Sequence, residues 1–502
     1  GLRLSAWSAA LALLLVSATQ PTAQALESEN SLADAAAATL TLDLGVRDAG
    51  FAELVAGRSV TFGFDGAEWY AWGPDGAGQL SGGSSVESDA VHRLELVQRP
   101  AGETAESFAY TRIVSGARTT YALGSDGVWY GWGDNAFGQL GLGTVSDSEP
   151  GPAPIGKPAG AAPGFTYTEL VAESHSATVF ALGSDGVWYA WGQNSYGLLA
   201  DGTMDHSATP EPLGKPSAAK RGFAWEQAGL GGAIAYGLGS DGVWYFWGVS
   251  AYGSRGDGTV GGTVTVPVKA GSPPGVVYER IVAGNRHAFG LGSDGLWYAW
   301  GGNDSGQLGV NRTTPLSGMP VPLPVFRQTG GFSDVFAVGN SSFGLSQGQL
   351  FSWGSNDQGQ LGLGTRGGHR VAPAAVSLPA GLTVDRFSAD SNRAFASASD
   401  GSWYGWGVYG LAPEWVSGGL AWQVLSSRRR GIQKPADVLT ALRIDDVPAD
   451  PETFADLGGG RWQVTVPSCP VPGSVIEAHW ALGPHAQPPV ILEKGIECVG
   501  GP

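Results

Sequence analysis

Gly292-Ser293-Asp294-Gly295-Leu296-Trp297-Tyr298-Ala299-Trp300-Gly301, followed by Asn303-Asp304-Ser305-Gly306-Gln307-Leu308-Gly309, decides the fold, because it recurs along the chain. The closing Trp-Gly pair stands at Trp72, Trp132, Trp191, Trp247, Trp300, Trp353 and Trp406, in steps of 60, 59, 56, 53, 53 and 53 residues. A fixed period of this size marks a repeat architecture. The Ser-Asp-Gly of this stretch is turn chemistry: Gly tolerates positive φ, and Asp bonds its own backbone. Six copies continue with Trp-Tyr-x-Trp-Gly; the sixth in the series reads Leu350-Phe351-Ser352-Trp353 instead. Each copy therefore reads as strand, turn, strand. Trp297 and Trp300 lie three apart, so on a strand they face opposite ways. Such a strand is buried on both sides, as between stacked sheets.

The unit from Tyr278 to Val325 divides into four short strands, near Tyr278–Ala283, His287–Leu291, Leu296–Trp300 and Pro320–Val325. A small sheet buried on both faces cannot stand alone. Seven of them packed round an axis leave only short, protected edges. The expected fold is all-β: a seven-bladed β-propeller of four-stranded blades over residues 51–425. The competing architecture, an open β-solenoid, normally has much shorter coils. Inserts such as Pro154-Ile155-Gly156-Lys157-Pro158 and Pro212-Leu213-Gly214-Lys215-Pro216 lengthen the early connections, where Pro suits loops and edge strands.

The flanks read differently. Arg3, the apolar run Ala9 to Val16 and the small-x-small Ala23-Gln24-Ala25 fit an export signal over residues 1–25, with Leu26 as mature start. An uncleaved, anchored segment is the alternative. Residues 26–50 form a leader in which Thr39 to Leu44 could be an isolated strand. Residues 426–502 read as a small β-rich, sandwich-like module. It contains Cys469 and Cys498, the only cysteines, and in an exported chain a disulfide between them is the natural reading.

Composition narrows function. The net charge of −17 and pI of about 4.8 argue against nucleic acid, whose binding rests on Lys and Arg neutralising phosphates. The largest basic cluster, Arg428-Arg429-Arg430, reads as a solvated turn. No stretch after the N-terminal run is long and apolar enough for a membrane span. Gly290-Leu291-Gly292-Ser293-Asp294-Gly295 matches Gly-x-Gly-x-x-Gly, but its strand–turn–strand setting lacks the helix that would meet a pyrophosphate. There is no His-Glu-x-x-His. One Asp per turn is too few ligands for calcium. No metal and no cofactor are expected.

Gly284-x-x-His287-x-x-x-Leu291, Asp294-Gly295-x-x-Tyr298-x-Trp300-Gly301 and Asn303-x-x-Gly306-Gln307-Leu308-Gly309 resemble the repeat of the regulator of chromosome condensation family. The resemblance covers about residues 51–425. It implies the propeller. For function it implies a choice, since the family includes a nuclear guanine-nucleotide exchange factor and many adaptor domains, with secreted β-lactamase-inhibitor propellers as distant relatives. The family often carries His thirteen residues before the Trp of Trp-Gly. Here those positions hold Ser59, Thr119, Thr178, Ile234, His287, Asn340 and Arg393, within one residue in the first and sixth copies. Only His287 keeps the pattern. That departure, the signal and the acidic charge weigh against the exchange-factor role, and His287 itself reads more readily as packing than as catalysis.

The leading reading is a non-enzymatic, secreted or cell-surface binding propeller, monomeric, taking a protein or glycan partner on one rim. The alternatives are a regulator of a GTPase-like or hydrolase partner, and an enzyme whose carboxylates converge across the ring. Loops on a rigid scaffold usually carry function. The loops entering each second strand differ in every copy, and ring symmetry brings them to one central mouth. The candidate binding residues there are Arg58, Arg118, His175, Asn285, Arg286, His287, Asn340, Asn392 and Arg393, whose basic character suits an anionic patch on the partner.

Overall fold

The computed structural model describes residues 51–407 apart from 59, 74–75, 81–94, 315–317, 326–330, 379–380 and 400–402; outside that span it describes strand backbone at 38–43 and in parts of 437–499. Every described ladder pairs antiparallel strands. The blades follow in order, each built from one continuous stretch: Glu53–Leu96, Tyr110–Pro154, Tyr167–Pro212, Trp225–Lys269, Tyr278–Pro324, Asp334–Ala375 and Val384–Gly407. The first six have four strands in sequential order, and three strands of the seventh are described. The fifth blade's strands are Tyr278–Ala283, His287–Gly292, Trp297–Gly301 and Met319–Pro324, within one residue of the sequence reading. First strands of neighbouring blades touch from blade 1 to blade 6, and the first strand of blade 1 meets that of blade 7.

In blades 4, 5 and 7 both tryptophans of the motif bond to neighbouring blades. Trp297 Nε1 donates forward to Phe332 O of the next blade, and Trp300 Nε1 donates back to Ser254 O of the preceding one. Trp300 also stacks on Tyr278 at 5.2 Å and 16°. The pattern repeats: Trp244 reaches Tyr278 O, Trp247 reaches Leu198 O, and Trp403 reaches Phe51 O, which closes the ring. Both tryptophans are buried in each case, as two-sided packing requires.

The other repeated residues have equally local reasons. Asp294 accepts from Leu296 N and from Tyr298 Oη, so it fixes the hairpin and anchors the tyrosine. Asn303 accepts from Leu308 N and donates to Arg312 O, which folds the loop between third and fourth strands. The carbonyl of Gln307 then takes Trp353 Nε1 from the next blade. Gly309 ends this motif at φ +66, and a Cβ there would lie 2.8 Å from Trp353 Nε1, so only Gly fits. Blade 6 lacks Ser-Asp-Gly; Gln347 and Gly348 make its turn, both at positive φ, between the paired Ser346 and Gln349. Positive φ at both tip residues is what a two-residue hairpin of the favoured twist demands.

The flanking strands form a separate unit, residues 1–47 with 433–502. Ala38–Asp43 is not the isolated strand that the leader suggested. It pairs with Arg461–Val466 on one side and Ile496–Val499 on the other. A second sheet gathers Asp437–Ile444, Ile476–Leu482 and shorter neighbours. Cys469, and with it the expected disulfide, lies outside the described residues, as do the export signal and Arg428 to Arg430. Among the described residues no helix is long and apolar enough to cross a membrane.

Candidate functional site: the loop-lined mouth

In an antiparallel meander the loop between first and second strands and the loop between third and fourth strands share a rim. The first of these is a tight turn in most blades. Gly57 N donates to Val60 O, Gly116 N to Thr119 O, Gly231 N to Ile234 O and Gly284 N to His287 O. At the tips Arg58, Arg118 and Arg286 are exposed while Gly232 and Ala233 are buried, and the fourth residue of each turn is buried. Neighbouring turns are joined through their backbones: Gly232 N to Gly284 O, Ala233 N to Asn285 O and Asn285 N to Gly339 O. The unlike loops do converge on one mouth.

Blade 3 departs from the tight turn with the longer loop Glu173–Ala177. His175 extends from it across the mouth: a Cβ on Gly232 of blade 4 would lie 3.0 Å from its Cβ, and one on Gly339 of blade 6 would lie 3.4 Å from its Cε1. Nδ1 of His175 sits 3.0 Å from Glu173 Oε1 and 3.1 Å from Ser174 Oγ. Serine and carboxylate address the same ring nitrogen, whereas a nucleophile relay needs them on opposite nitrogens. The trio orders the loop. Among the described residues no group of three or more His, Cys, Asp or Glu could hold a metal ion.

The candidate residues divide by exposure. Arg58, Arg118, Arg286 and Asn340 are exposed, and His175, Asn285 and Asn392 are half-buried. Arg58 and Arg118 line one cleft between blades 1 and 2, about 180 Å³ including its open side, with Gln79 and Ser115 in its wall. Arg118 has only a 3.9 Å approach to Asp134, an exposed pair of little energetic weight. Arg286 lies over the Tyr252 ring at 4.7 Å and donates to its hydroxyl at 2.9 Å.

His287 and Arg393 are corrections to the binding set: both are inside the protein. The fourth position of the turn points into the ring, and each side chain has been given internal work there. His287 is fully buried, with Nε2 3.0 Å from Ser342 Oγ, which itself donates to Gln307 O. Nε2 is therefore the protonated nitrogen of a neutral ring. Burial pushes its pKa down to about 3, opposed only by Asp304. The ladder also settles its counterparts. Ser341 pairs with Gly354 as His287 pairs with Gly301, and Thr61 pairs with Trp72 as Ala288 pairs with Trp300. The equivalents in blades 6 and 1 are thus Ser341 and Val60, one residue beyond Asn340 and Ser59. Arg393 ties blade 7 to blade 1: Nε donates to Asp390 Oδ2 at 2.6 Å, Nη1 to Thr61 Oγ1 at 3.0 Å, and Nη2 to Gly57 O at 2.8 Å.

The sequence reading missed Glu173, which orders the His175 loop, and Tyr252, which positions Arg286. Tyr252 had a signal: it holds the place before Gly where Ser305 and Gln358 stand in other copies.

Comparison with known proteins agrees with this architecture. The family model described as the regulator of chromosome condensation (RCC1) repeat matches residues 126–163 and 347–389. The chain is 29% identical over 315 residues to the ultraviolet-B receptor UVR8 of Arabidopsis thaliana, covering 62% of this chain and 66% of the receptor. It is 27% identical over 355 residues to the human E3 ubiquitin-protein ligase HERC2, covering 68% of this chain and 7% of the ligase. The chain thus spans just under two thirds of one relative and a small part of the other. Among solved structures, yeast RCC1 (Prp20) bound to Kap60 superposes with a TM-score of 0.56 at 17% identity, covering 75% of this chain and 94% of that one. Human WBSCR16 gives 0.55 at 17%, covering 77% and 92%. At these identities the structures speak to the fold alone. Motif and blade geometry make this chain a seven-bladed propeller, and two stretches of it match the regulator of chromosome condensation repeat.

Proposed function

We propose that the chain is an exported, non-enzymatic, monomeric binding propeller that takes its partner at the mouth formed by the first-turn loops. The observation that carries this reading is the treatment of the arginines. In a protein of net charge −17, Arg58, Arg118 and Arg286 stand exposed on one rim, while Arg393 at the equivalent loop is consumed by the fold. Exposed guanidiniums are suited to bidentate recognition of carboxylates. The partner's contact group is accordingly anionic, on a protein or an acidic glycan. The fold shared with yeast RCC1, seen in complex with Kap60, supports a protein first.

The test is affinity capture from the extracellular medium with the wild type and with Arg58→Ala, Arg118→Ala, Arg286→Ala combined, both checked for native circular dichroism. A partner held by the wild type and lost by the folded triple variant supports the mouth. Equal retention moves the site to the opposite rim or the C-terminal unit. N-terminal sequencing of the exported protein checks the start at Leu26. A cytoplasmic protein with its N-terminus intact would bring the GTPase-type regulator forward.

A further inference from the structure

The rim that holds the mouth also has an outer circle, made by the loops between third and fourth strands. The repeat supplies its own control there. The scaffold residues Asn135, Asn194, Asn303 and Asn356 make the same two bonds in four blades. The residue before the loop's first Gly is Phe137, Tyr196 and Tyr252 in blades 2, 3 and 4, but Ser305 and Gln358 in blades 5 and 6. Further along the same loops, Val145, Met204 and Val260 stand where blades 5 and 6 have Thr313 and Arg366. The fold forms with either kind of residue, so the apolar choice on three consecutive blades is not needed by the blades.

These side chains face solvent. Eight large apolar residues are exposed among the described ones, and four of them, Val145, Tyr196, Met204 and Val260, sit in these three loops at 40 to 62% exposure. The loops are continuous: Phe137 packs edge-on against His206 of blade 3 at 4.9 Å, Gly143 N donates to Ala208 O, and Gly202 N donates to Thr265 O of blade 4. The same segments carry Asp147, Glu149, Asp201, Asp205 and Asp257 against a single guanidinium, Arg255, which is already paired with Asp257. A contiguous exposed apolar patch rimmed by charge marks an interaction surface, and the sign of the rim selects the partner.

We propose that the arc over blades 2 to 4 binds a segment of a protein partner in which lysine or arginine alternates with aliphatic side chains. The aliphatic groups cover Val145, Met204 and Val260; the cations meet the carboxylates and the faces of Tyr196 and Phe137. The chain contains a precedent for the second contact, since Arg286 lies over Tyr252 at the end of the arc. The arc touches the mouth at Tyr252 and Arg286 but has the opposite charge preference, and the variants that test it leave both residues in place.

The experiment is fluorescence anisotropy on the full chain with three short labelled peptides, alternating lysine with leucine, lysine with serine, and glutamate with leucine. The lysine–leucine peptide should bind, and both others should bind at least about tenfold more weakly, because charge and apolar contact are both required. Val145→Thr, Tyr196→Ser and Met204→Thr together leave every charge in place and should weaken it about tenfold or more. Val277→Ser with Val321→Ser, exposed apolar positions outside these loops, should leave it unchanged. Hydrogen exchange on the wild type gives a second reading that needs no variant: the peptide should protect 136–149 and 194–208. Equal binding of the lysine–serine peptide, unchanged affinity in the folded triple variant, or protection confined to other loops would each overturn the proposal.

Discussion

Arg393→Ala should open the ring at one seam. Each described blade is made from a continuous stretch, so no described strand from one end of the chain completes a blade at the other. Blades 7 and 1 are held by side chains: Arg393 donates to Thr61 and Gly57, Trp403 to Phe51 O and Arg386 to Ala52 O, and Ser388 Oγ accepts from Ala56 N. Arg393 is 2% exposed, and Asp390 beside it is equally buried. Removing the guanidinium leaves Asp390 with only the backbone donors of Asn392 and position 393, and strips donors from Thr61 Oγ1 and Gly57 O. Breaking a buried pair by deleting one partner costs about 3–5 kcal/mol, chiefly because the survivor is an uncompensated charge. The exposed Arg118→Ala should change stability by less than about 0.5 kcal/mol. Urea denaturation of both variants at pH 7 measures the contrast. Hydrogen exchange under mild denaturant then locates it, and in Arg393→Ala the strands Glu53–Ala56 and Val384–Ala389 should exchange well before those of blade 4. If Arg393→Ala falls within 1 kcal/mol of the wild type, or its blades exchange together, the pair does not close the ring.

Stability should depend on pH through His287. Its folded pKa lies near 3 and its unfolded value near 6.5, so between these the unfolded chain takes the proton and the native ring does not. Stability is therefore lost as pH falls through that window, at about 1.4 kcal/mol per unit; His287→Thr, the side chain found at this register in blades 2 and 3, should remove that slope in denaturation series at pH 4, 5, 6 and 7. Two glycines at similar φ should separate backbone strain from crowding. Gly295→Ala meets open space and should cost about 1 kcal/mol, whereas Gly309→Ala meets Trp353 and should cost about 2 kcal/mol more; equal midpoints would show that the tryptophan yields freely. Trp300→Ala removes a fully buried indole and its bond to Ser254 O, and should cost about 3–5 kcal/mol by midpoint shift, with under 1 kcal/mol contradicting the two-sided strand.

The blades were legible because their residues repeat for local reasons. Asp294 with Tyr298, Asn303 with Leu308 N, and Gly309 beneath the next tryptophan each act within one blade or on its immediate neighbour. Identical jobs select identical residues, and a period appears. Blade 6 blurred the register because its hairpin lost a residue: with Gln347-Gly348 in place of Ser-Asp-Gly, counting back from Trp353 lands on Asn340, while the ladder selects Ser341. The strand Ala38–Asp43 was legible as a strand but not by its partners, because Val464 and Cys498 lie more than four hundred residues along the chain and nothing local encodes the pairing.

The mouth was legible as a set of loops, while the direction of each side chain was not. These turns expose Arg58, Arg118 and Arg286 at their tips and bury the residue that ends the turn, and a list of loop residues does not say which is which. Arg393 nevertheless carried a readable warning. Four other copies place Gly at the start of this turn, at Gly57, Gly116, Gly231 and Gly284, and the seventh places Asp390 there. A new acid and a new base three residues apart, both departing from the same repeat, amount to a compensating pair, and a compensating pair is needed only where charge is buried. Phe137 and Tyr252 depart from the repeat as well and are met by His206 and Arg286, whereas Tyr196, Val145, Met204 and Val260 replace polar residues at surface positions and stay exposed. A departure answered within the chain serves the fold. One that recurs on adjacent blades without an internal answer is where a partner's contribution should be sought.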